Sequence, residues 1–268
     1  MDIKQAIQDK ILLLDGAMGT MLQQKVISED DFRGARFREH PVPLKGMNDI
    51  LSLTQPGLIK SIHQQYLEAG AHIVTTNSFN ANFFSLRRYQ LEPFVREINL
   101  QAASIARESV KEYTRRAGRK DCYVAGTIGP TDKMASLSPS VDDPAYRNVH
   151  FDELVEAYYE QAKGLLDGGV DLLLAETIFD TLNAKAALFA IRKIFVEKGN
   201  EWPVMVSGTI SGDSGRSLSG QTVEAFYNSL QPFSPFAIGL NCSFGPEKLL
   251  PFLERLSEKS AQIGRAHV

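Results

Sequence analysis

Six short runs rich in aliphatic and β-branched residues punctuate the chain: "ILLLDG" from 11, "HIVTTN" from 72, "YVAGTIG" from 123, "DLLLAET" from 171, "PVMVSGTI" from 203 and "FAIGLNC" from 236. They are continuous rather than alternating, the pattern of strands covered on both faces. Between them lie stretches with helical spacing. Leu58, Ile62, Tyr66 and Ala69 follow a Pro56-Gly57 start, and Leu154, Val155, Tyr158, Ala162 and Leu165 run up to a Gly168-Gly169 stop. Alternation of this kind predicts repeated βα units and a parallel sheet.

Such units build either an open doubly wound sheet or a closed (β/α)8 barrel, and the ends of the runs discriminate. Asp15, Thr76-Asn77, Thr127, Glu176, Ser207 with Thr209, and Asn241-Cys242 all stand at or just past the C-terminal end of a run. A barrel gathers all its strand ends at one mouth, whereas an open sheet concentrates its site at one crevice, so polar ends on all six runs favour the α/β TIM-barrel type. Two more units would each need roughly 25 to 35 residues. Only 26 residues follow Cys242, and "PEKLLPFLERLSEKSAQ" reads as the helix after the sixth strand, with Pro246 suited to its first turn and Pro251 expected to kink it or delay its start. "IGRAHV" carries no strand pattern. The expectation is therefore one barrel domain over residues 1–268, about six of eight units, C-terminally truncated, with insertions at about 20–56 and 129–148. Loops of that length usually cap a site or form a docking surface.

A hydrophobic content of 43% with 23% charged residues is ordinary for a globular chain. With 29 basic and 32 acidic residues intermixed, there is no basic stripe for a nucleic acid and no polybasic membrane patch, so neither is an expected partner. No apolar run is long enough to span a bilayer, and the N-terminus lacks the pattern of a secretory leader. Two cysteines make no disulfide scaffold, and a reducing, cytoplasmic home is expected.

The common catalytic signatures are absent, including the phosphate-binding P-loop, H-E-x-x-H, G-x-S-x-G and C-x-x-C. The five histidines show no ligand spacing; His63 in a helix and His72 at a strand start suggest surface or bottom-face roles. The stretch "SGTISGDSGRSLSGQT" from 207 could cradle an anion or be a plain flexible loop. Asp15 precedes "GAMGT", and Glu176 ends "DLLLAE". Buried carboxylates are costly unless paired, so two facing one cavity suggest a shared cationic partner such as a substrate ammonium group. Each could instead cap a following helix; for Asp15 the readings are even, and for Glu176 the ligand is favoured. Cys122, at the start of the third run, reads as a small buried hydrophobe. Cys242 is either a nucleophile, for which no histidine stands near a strand end, or one thiolate of a zinc-like site that one cysteine does not complete.

The segments "LDGAMGTMLQ", "GAHIVTTNSFNAN", "AGTIGPT", "LLLAETIFDTLNAKAALFAI", "SGTISGDSGRSLSGQTVEAFYNSL" and "GLNCSFGPE", in this order from about Ile11 to Glu247, resemble the homocysteine S-methyltransferase family. The insertion "DFRGARFREHPVPLKGMND" is most similar to the branch formed by the N-terminal domain of cobalamin-dependent methionine synthase. The resemblance implies zinc held by three cysteine thiolates, of which Cys242 matches the first; the adjacent pair in a later Gly-Gly-Cys-Cys segment has no counterpart here. It implies that Asp15 and Glu176 hold the ammonium group of L-homocysteine, with additional contacts from Met18, Gly19, Thr20, Thr76, Asn77 and Asn241.

On this resemblance the zinc-bound homocysteine thiolate takes a methyl group from methylcobalamin to give methionine, with cobalamin-binding and folate-binding domains as partners. The isolated chain is expected to bind zinc poorly and to be inactive by itself. The alternatives are a stand-alone homocysteine methyltransferase using betaine or S-methylmethionine, and a non-catalytic amino-acid-binding barrel.

Overall fold

The computed structural model describes residues 2–212, 214–242, 244–260 and 263–267. The chain divides into two compact units, residues 1–127 with 163–172, and residues 128–162 with 173–268.

In the first unit, α1 (Ile3–Asp9) precedes the run Ile11 to Leu14, and α2 (Met18–Gln23), α3 (Glu29–Arg33), α4 (Leu51–Thr54) and α5 (Pro56–Glu68) lead to strand β1 (Ile73–Thr75). Helices α6 (Phe83–Arg87) and α7 (Val95–Ala117) then lead to β2 (Tyr123–Ile128). Helix α5 begins with Pro56 at its first turn, as its sequence predicts. β1 and β2 are parallel, in register from Ile73 with Tyr123 to Thr75 with Ala125. The first expected strand does not form a ladder: Leu14 makes a single parallel bridge to Ile73. The Leu13 N–H is taken by His72 Nδ1 at 3.1 Å, and the Leu13 carbonyl accepts from both His72 and Ile73 N–H. A side chain thus occupies the donor that a strand would spend on a neighbour.

The 20–56 insertion is not an excursion. Its Leu22, Phe32, Phe37, Leu44, Met47, Ile50 and Leu51 are buried in one cluster with Ile59 and Ile62 of α5, Leu86 of α6 and Ile98 of α7. Ser28 and Asp31 form a capping box at the start of α3. The Arg33 guanidinium donates to the carbonyls of Phe37, Arg38, His40 and Val42, and Glu29 accepts from the N–H groups of Leu44 and Lys45. An ion pair between Arg33 and Glu29 at 2.6 Å joins the two hubs.

Helix α8 (Phe151–Asp167) and strand β3 (Leu172–Ile178) carry the chain from one unit to the other. At the end of α8, two glycines admit α7 closely: a Cβ on Gly164 would stand 2.8 Å from the Arg96 carbonyl, and one on Gly168 would stand 2.5 Å from the Ala103 Cβ.

The second unit continues with α9 (Thr181–Lys198), β4 (Val204–Gly208), α10 (Val223–Leu230), β5 (Ala237–Asn241), α11 (Pro246–Lys259) and β6 (Ile263–His267). β3 pairs with β4, β4 with β5 and β5 with β6, all parallel and in chain order. An open doubly wound sheet reverses its order at a switch point; consecutive parallel pairing is the rule of the barrel. The fold is α/β of the (β/α)8 type, with six strands among the described residues.

Two local expectations need correction. Helix α11 starts at Pro246 and runs on through Pro251, so the second proline does not delay it. The segment "IGRAHV", read as having no strand, supplies β6, paired from Ala237 with Ile263 to Asn241 with His267. Backbone pairing with a free strand edge needs no hydrophobic run, so local composition carried no sign of it.

Candidate functional site

Within the first unit, Asp15 is buried beside the end of β1 and accepts from the Thr75 N–H at 2.7 Å and the Thr75 hydroxyl at 3.0 Å. It caps no helix, since the N-cap of α2 is Ala17 and no side chain caps there. Met18, Gly19 and Thr20 form the first turn of α2. Beside them Tyr66 donates to the Ala17 carbonyl at 3.1 Å, and a Cβ on Gly16 would stand 2.9 Å from the Tyr66 hydroxyl oxygen. A side chain at 16 would therefore force the Tyr66 ring to shift. Burial, and secondarily the charge of Asp15, raises the Tyr66 phenol above its ordinary pKa.

Thr76 and Asn77 are buried and committed to protein partners. Thr76 Oγ1 accepts from the Thr127 N–H at 2.9 Å and shares a hydrogen bond with Ser78 at 2.6 Å. Asn77 donates to the Asn48 carbonyl at 2.8 Å and to Ser52 Oγ at 3.2 Å. Asp49, which the sequence did not single out, accepts the Asn80 N–H at 2.8 Å and ties the first insertion to the turn after β1. Burial pushes its carboxyl up to about 7, against backbone N–H groups that pull it down.

His63, expected in a surface or bottom-face role, is fully buried and so not a surface residue, and burial lowers its imidazole to about 4. Cys122 is a buried thiol raised by burial, as expected of a small core residue.

Within the second unit, a compact polar group forms where β3 and β5 end. Asn241 is completely buried, and its carboxamide works in both directions. Oδ1 accepts the Thr177 N–H at 3.0 Å, while Nδ2 donates to Thr177 Oγ1 at 2.8 Å, to Cys242 Sγ at 3.3 Å and, at the longer distance of 3.4 Å, to Glu176 Oε2. Its carbonyl accepts from the Thr209 hydroxyl at 3.1 Å. Thr177 and Cys242 both adopt left-handed backbone, with φ of 58° and 57°. This conformation is costly for L-residues, for a β-branched threonine above all, and is held only where surrounding bonds over-determine it. The Asn241 carboxamide supplies those bonds and turns the exposed Cys242 thiol out of the end of β5. It accepts from Asn241 Nδ2 and shares a hydrogen bond with Thr177 Oγ1; among the described residues no histidine bonds to it.

Glu176 caps no helix; the N-cap of α9 is Asp180. Glu176 lines a cavity of about 20 Å³ with Ile128, Pro130, Tyr158, Phe179 and Asn183. That is space for about one water-sized group. The glycine- and serine-rich stretch after β4 folds on itself through an antiparallel bridge between Ser211 and Arg216 and a bond from the Arg216 guanidinium to the Gly220 carbonyl; Asp213 lies outside the described residues.

The zinc implied by the sequence resemblance meets one matching thiol, Cys242. Among the described residues no group of three or more His, Cys, Asp or Glu side chains is placed to hold a metal ion, so these residues do not complete such a site. No helix among them is long and apolar enough to cross a membrane.

A barrel-type fold carries a thiol, a carboxylate and a buried carboxamide at its strand ends, the place where barrel enzymes build their sites. The homocysteine S-methyltransferase family model matches residues 12–266, and the chain belongs to that family. Among solved structures it is similar to the homocysteine methyltransferase MmuM from Escherichia coli. The metallated form aligns with a TM-score of 0.76 at 22% identity, covering 98% of this chain and 85% of that one. The oxidized form gives 0.76 at 21%, and the apo form 0.70 at 21%, each covering 99% of this chain and 85% of the other. At these identities the likeness is one of fold.

Proposed function

We propose that this chain is the homocysteine-binding domain of a cobalamin-dependent methionine synthase, in which homocysteine receives a methyl group from methylcobalamin. The observation that carries this reading is the Glu176, Thr177, Asn241 and Cys242 cluster: a carboxylate suited to an amino-acid ammonium group stands in one bonded network with an outward-turned thiol. Glu176 binds the ammonium group. Asn241 holds Cys242 and Thr177 in their left-handed conformations. Cys242 is a single thiolate donor toward zinc, and with no complete site among the described residues no step is assigned to the metal. For Asp15 the ammonium role, and for Met18, Gly19 and Thr20 a backbone contact role, rest on the sequence resemblance. Thr76 and Asn77, with their side chains spent on protein partners, shape the turn that carries them.

The chemistry asks for a thiol that loses its proton before it attacks a methyl electrophile, since the thiolate is the nucleophile. Cobalamin-binding and folate-binding domains are the proposed partners, and the cytoplasm the proposed compartment. The chain alone is inactive in this reading.

Calorimetry with L-homocysteine is the first test. Binding should be lost on Glu176→Gln, and methyl transfer from methylcobalamin should require the partner domains. Turnover by the chain alone with S-methylmethionine or betaine would establish the stand-alone alternative. Equal affinity for homocysteine and for its analogue without the thiol, unaffected by zinc, would establish a non-catalytic binding module.

A further inference from the structure

The run from Ile11 to Asp15 lies beside β1 without forming a ladder, so individual bonds hold it there. The Leu13 carbonyl accepts from the N–H groups of His72 and Ile73 at 2.8 and 3.0 Å, and the Asp15 N–H donates to the Ile73 carbonyl at 2.8 Å. Side chains add two ties. At the C-terminal end of β1 the Asp15 carboxylate takes the Thr75 N–H at 2.7 Å, and at its N-terminal end His72 Nδ1 takes the Leu13 N–H at 3.1 Å. Ile11 and Leu13 are exposed, so their packing adds little to these bonds.

A neutral imidazole that accepts at Nδ1 carries its proton at Nε2. His72 Nε2 stands 3.5 Å from Asp121 Oδ2, the carboxylate toward which that proton points. Asp121 is already engaged: Lys10 Nζ bonds to the same oxygen, and Arg119 Nε bonds to the other at 3.0 Å. Burial would raise the Asp121 carboxyl, but those two cations hold it well below the usual carboxylate range. His72 thus faces two cations and one carboxylate, with Cys122, a thiol raised by burial, beside Asp121 in the chain. Burial first, then Arg119 and Lys10, lower the imidazole below its ordinary value, against the opposite pull of Asp121. A second proton on the ring would sit on Nδ1 and set one donor against another, the Leu13 N–H.

We propose that His72, held as its Nε2–H tautomer, is a positioning residue that fixes residues 11–15 against β1 and with them the place of Asp15, and that proton uptake at Nδ1 releases this segment. The consequence for homocysteine binding rests on the functional reading above; the pin itself does not. His72 acts on Asp15 through the Leu13 N–H.

Two variants separate the acceptor from the titration. His72→Asn puts an amide oxygen in the place of Nδ1 and does not titrate, whereas His72→Leu has no acceptor. Amide exchange at Leu13, corrected for the intrinsic rate at each pH, reads the pin. At neutral pH it should quicken about tenfold in His72→Leu, the order of one bond's net worth, and stay within about twofold of wild type in His72→Asn. As pH falls from about 7 to 5 it should quicken in wild type and not in His72→Asn. Nitrogen NMR of the ring should show Nδ1 unprotonated at neutral pH. A proton on Nδ1 there, or unchanged exchange in His72→Leu, overturns the pin.

Calorimetry with L-homocysteine reads the consequence. Affinity should fall about fivefold in His72→Leu. The ratio of wild-type to His72→Asn affinity should fall between about pH 7 and 5, since titrations shared by the two proteins cancel in it. Unchanged affinity in His72→Leu, or a flat ratio, overturns the link to Asp15. If wild type does not bind homocysteine, the functional reading and that link fall together, and exchange with the ring spectrum judges the pin alone. Should His72→Leu not fold, wild type against His72→Asn across pH decides both.

Discussion

The two inserted segments, 20–56 and 129–148, are alike in sequence terms and opposite in construction. The first buries seven large apolar residues and arranges its backbone around a charged hub, Arg33 with Glu29. The second exposes Leu137, Val141 and Tyr146 and is fastened near its beginning through polar atoms of Asp180 and Asn183 at the start of α9. A segment with its own core is part of the fold's stability; one fastened by hydrogen bonds can be released without unfolding what lies beneath it. The contrast marks the first as scaffold and the second as a surface segment tied to the helix beneath it.

The sharpest way to break this comparison is to empty the first segment. Leu44→Ala, at a completely buried site, should cost about 2–5 kcal/mol in urea denaturation. A smaller loss would show that the segment's core is not coupled to α5 and α7.

The second test uses pH. The imidazole of His63 is held near 4 while the unfolded chain titrates near 6.5, so the unfolded state binds the proton first and stability falls as pH drops from about 6.5 to 4. Asp49 runs the other way. Its folded carboxyl lies near 7 against 3.8 unfolded, so the folded state binds the proton first and stability falls as pH rises from about 4 to 7. The His63 slope is worth roughly 3 kcal/mol and the Asp49 slope roughly 4, and they oppose over one window. Wild type should therefore show a shallow profile of unfolding free energy against pH. His63→Leu should leave stability falling as pH rises, and Asp49→Asn should leave it falling as pH drops.

Smaller effects sharpen the contrast. Arg33→Met removes donors from four carbonyls and should cost about 2 kcal/mol. Val141→Ser, in the second segment at 93% exposure, should stay within about 0.5 kcal/mol. An effect as large as that of Arg33→Met would mean that the second segment also depends on apolar packing.

Strands β1 to β5 were legible because β-branched runs bounded by glycine and polar residues are local signals, whereas β6 gave none, and Glu176 and Cys242 were legible as polar residues at the ends of two such runs. His63 could have been read better: it shares a helical face with Ile59, Ile62 and Tyr66, and that spacing points into the core. The core of the first segment was not legible, since Phe32, Phe37, Leu44 and Met47 follow no single period. Nor were the bonds from Asn183 of α9 to residues 131–135, which join positions about fifty residues apart, or the left-handed backbone at Thr177, whose N–H bonds to Asn241 of another strand, and at Cys242. Asp180 was within reach, being the acidic residue directly before the α9 pattern.

The two left-handed residues have an evolutionary corollary. A population selected only for heat tolerance would drift toward glycine at 177 and 242, because glycine relieves a penalty on the order of 1–3 kcal/mol at each such position. Every such gain would erase the thiol, or the hydroxyl beside it. A threonine and a cysteine retained where glycine is the easier residue would thus mark a lineage still under selection for chemistry rather than for durability.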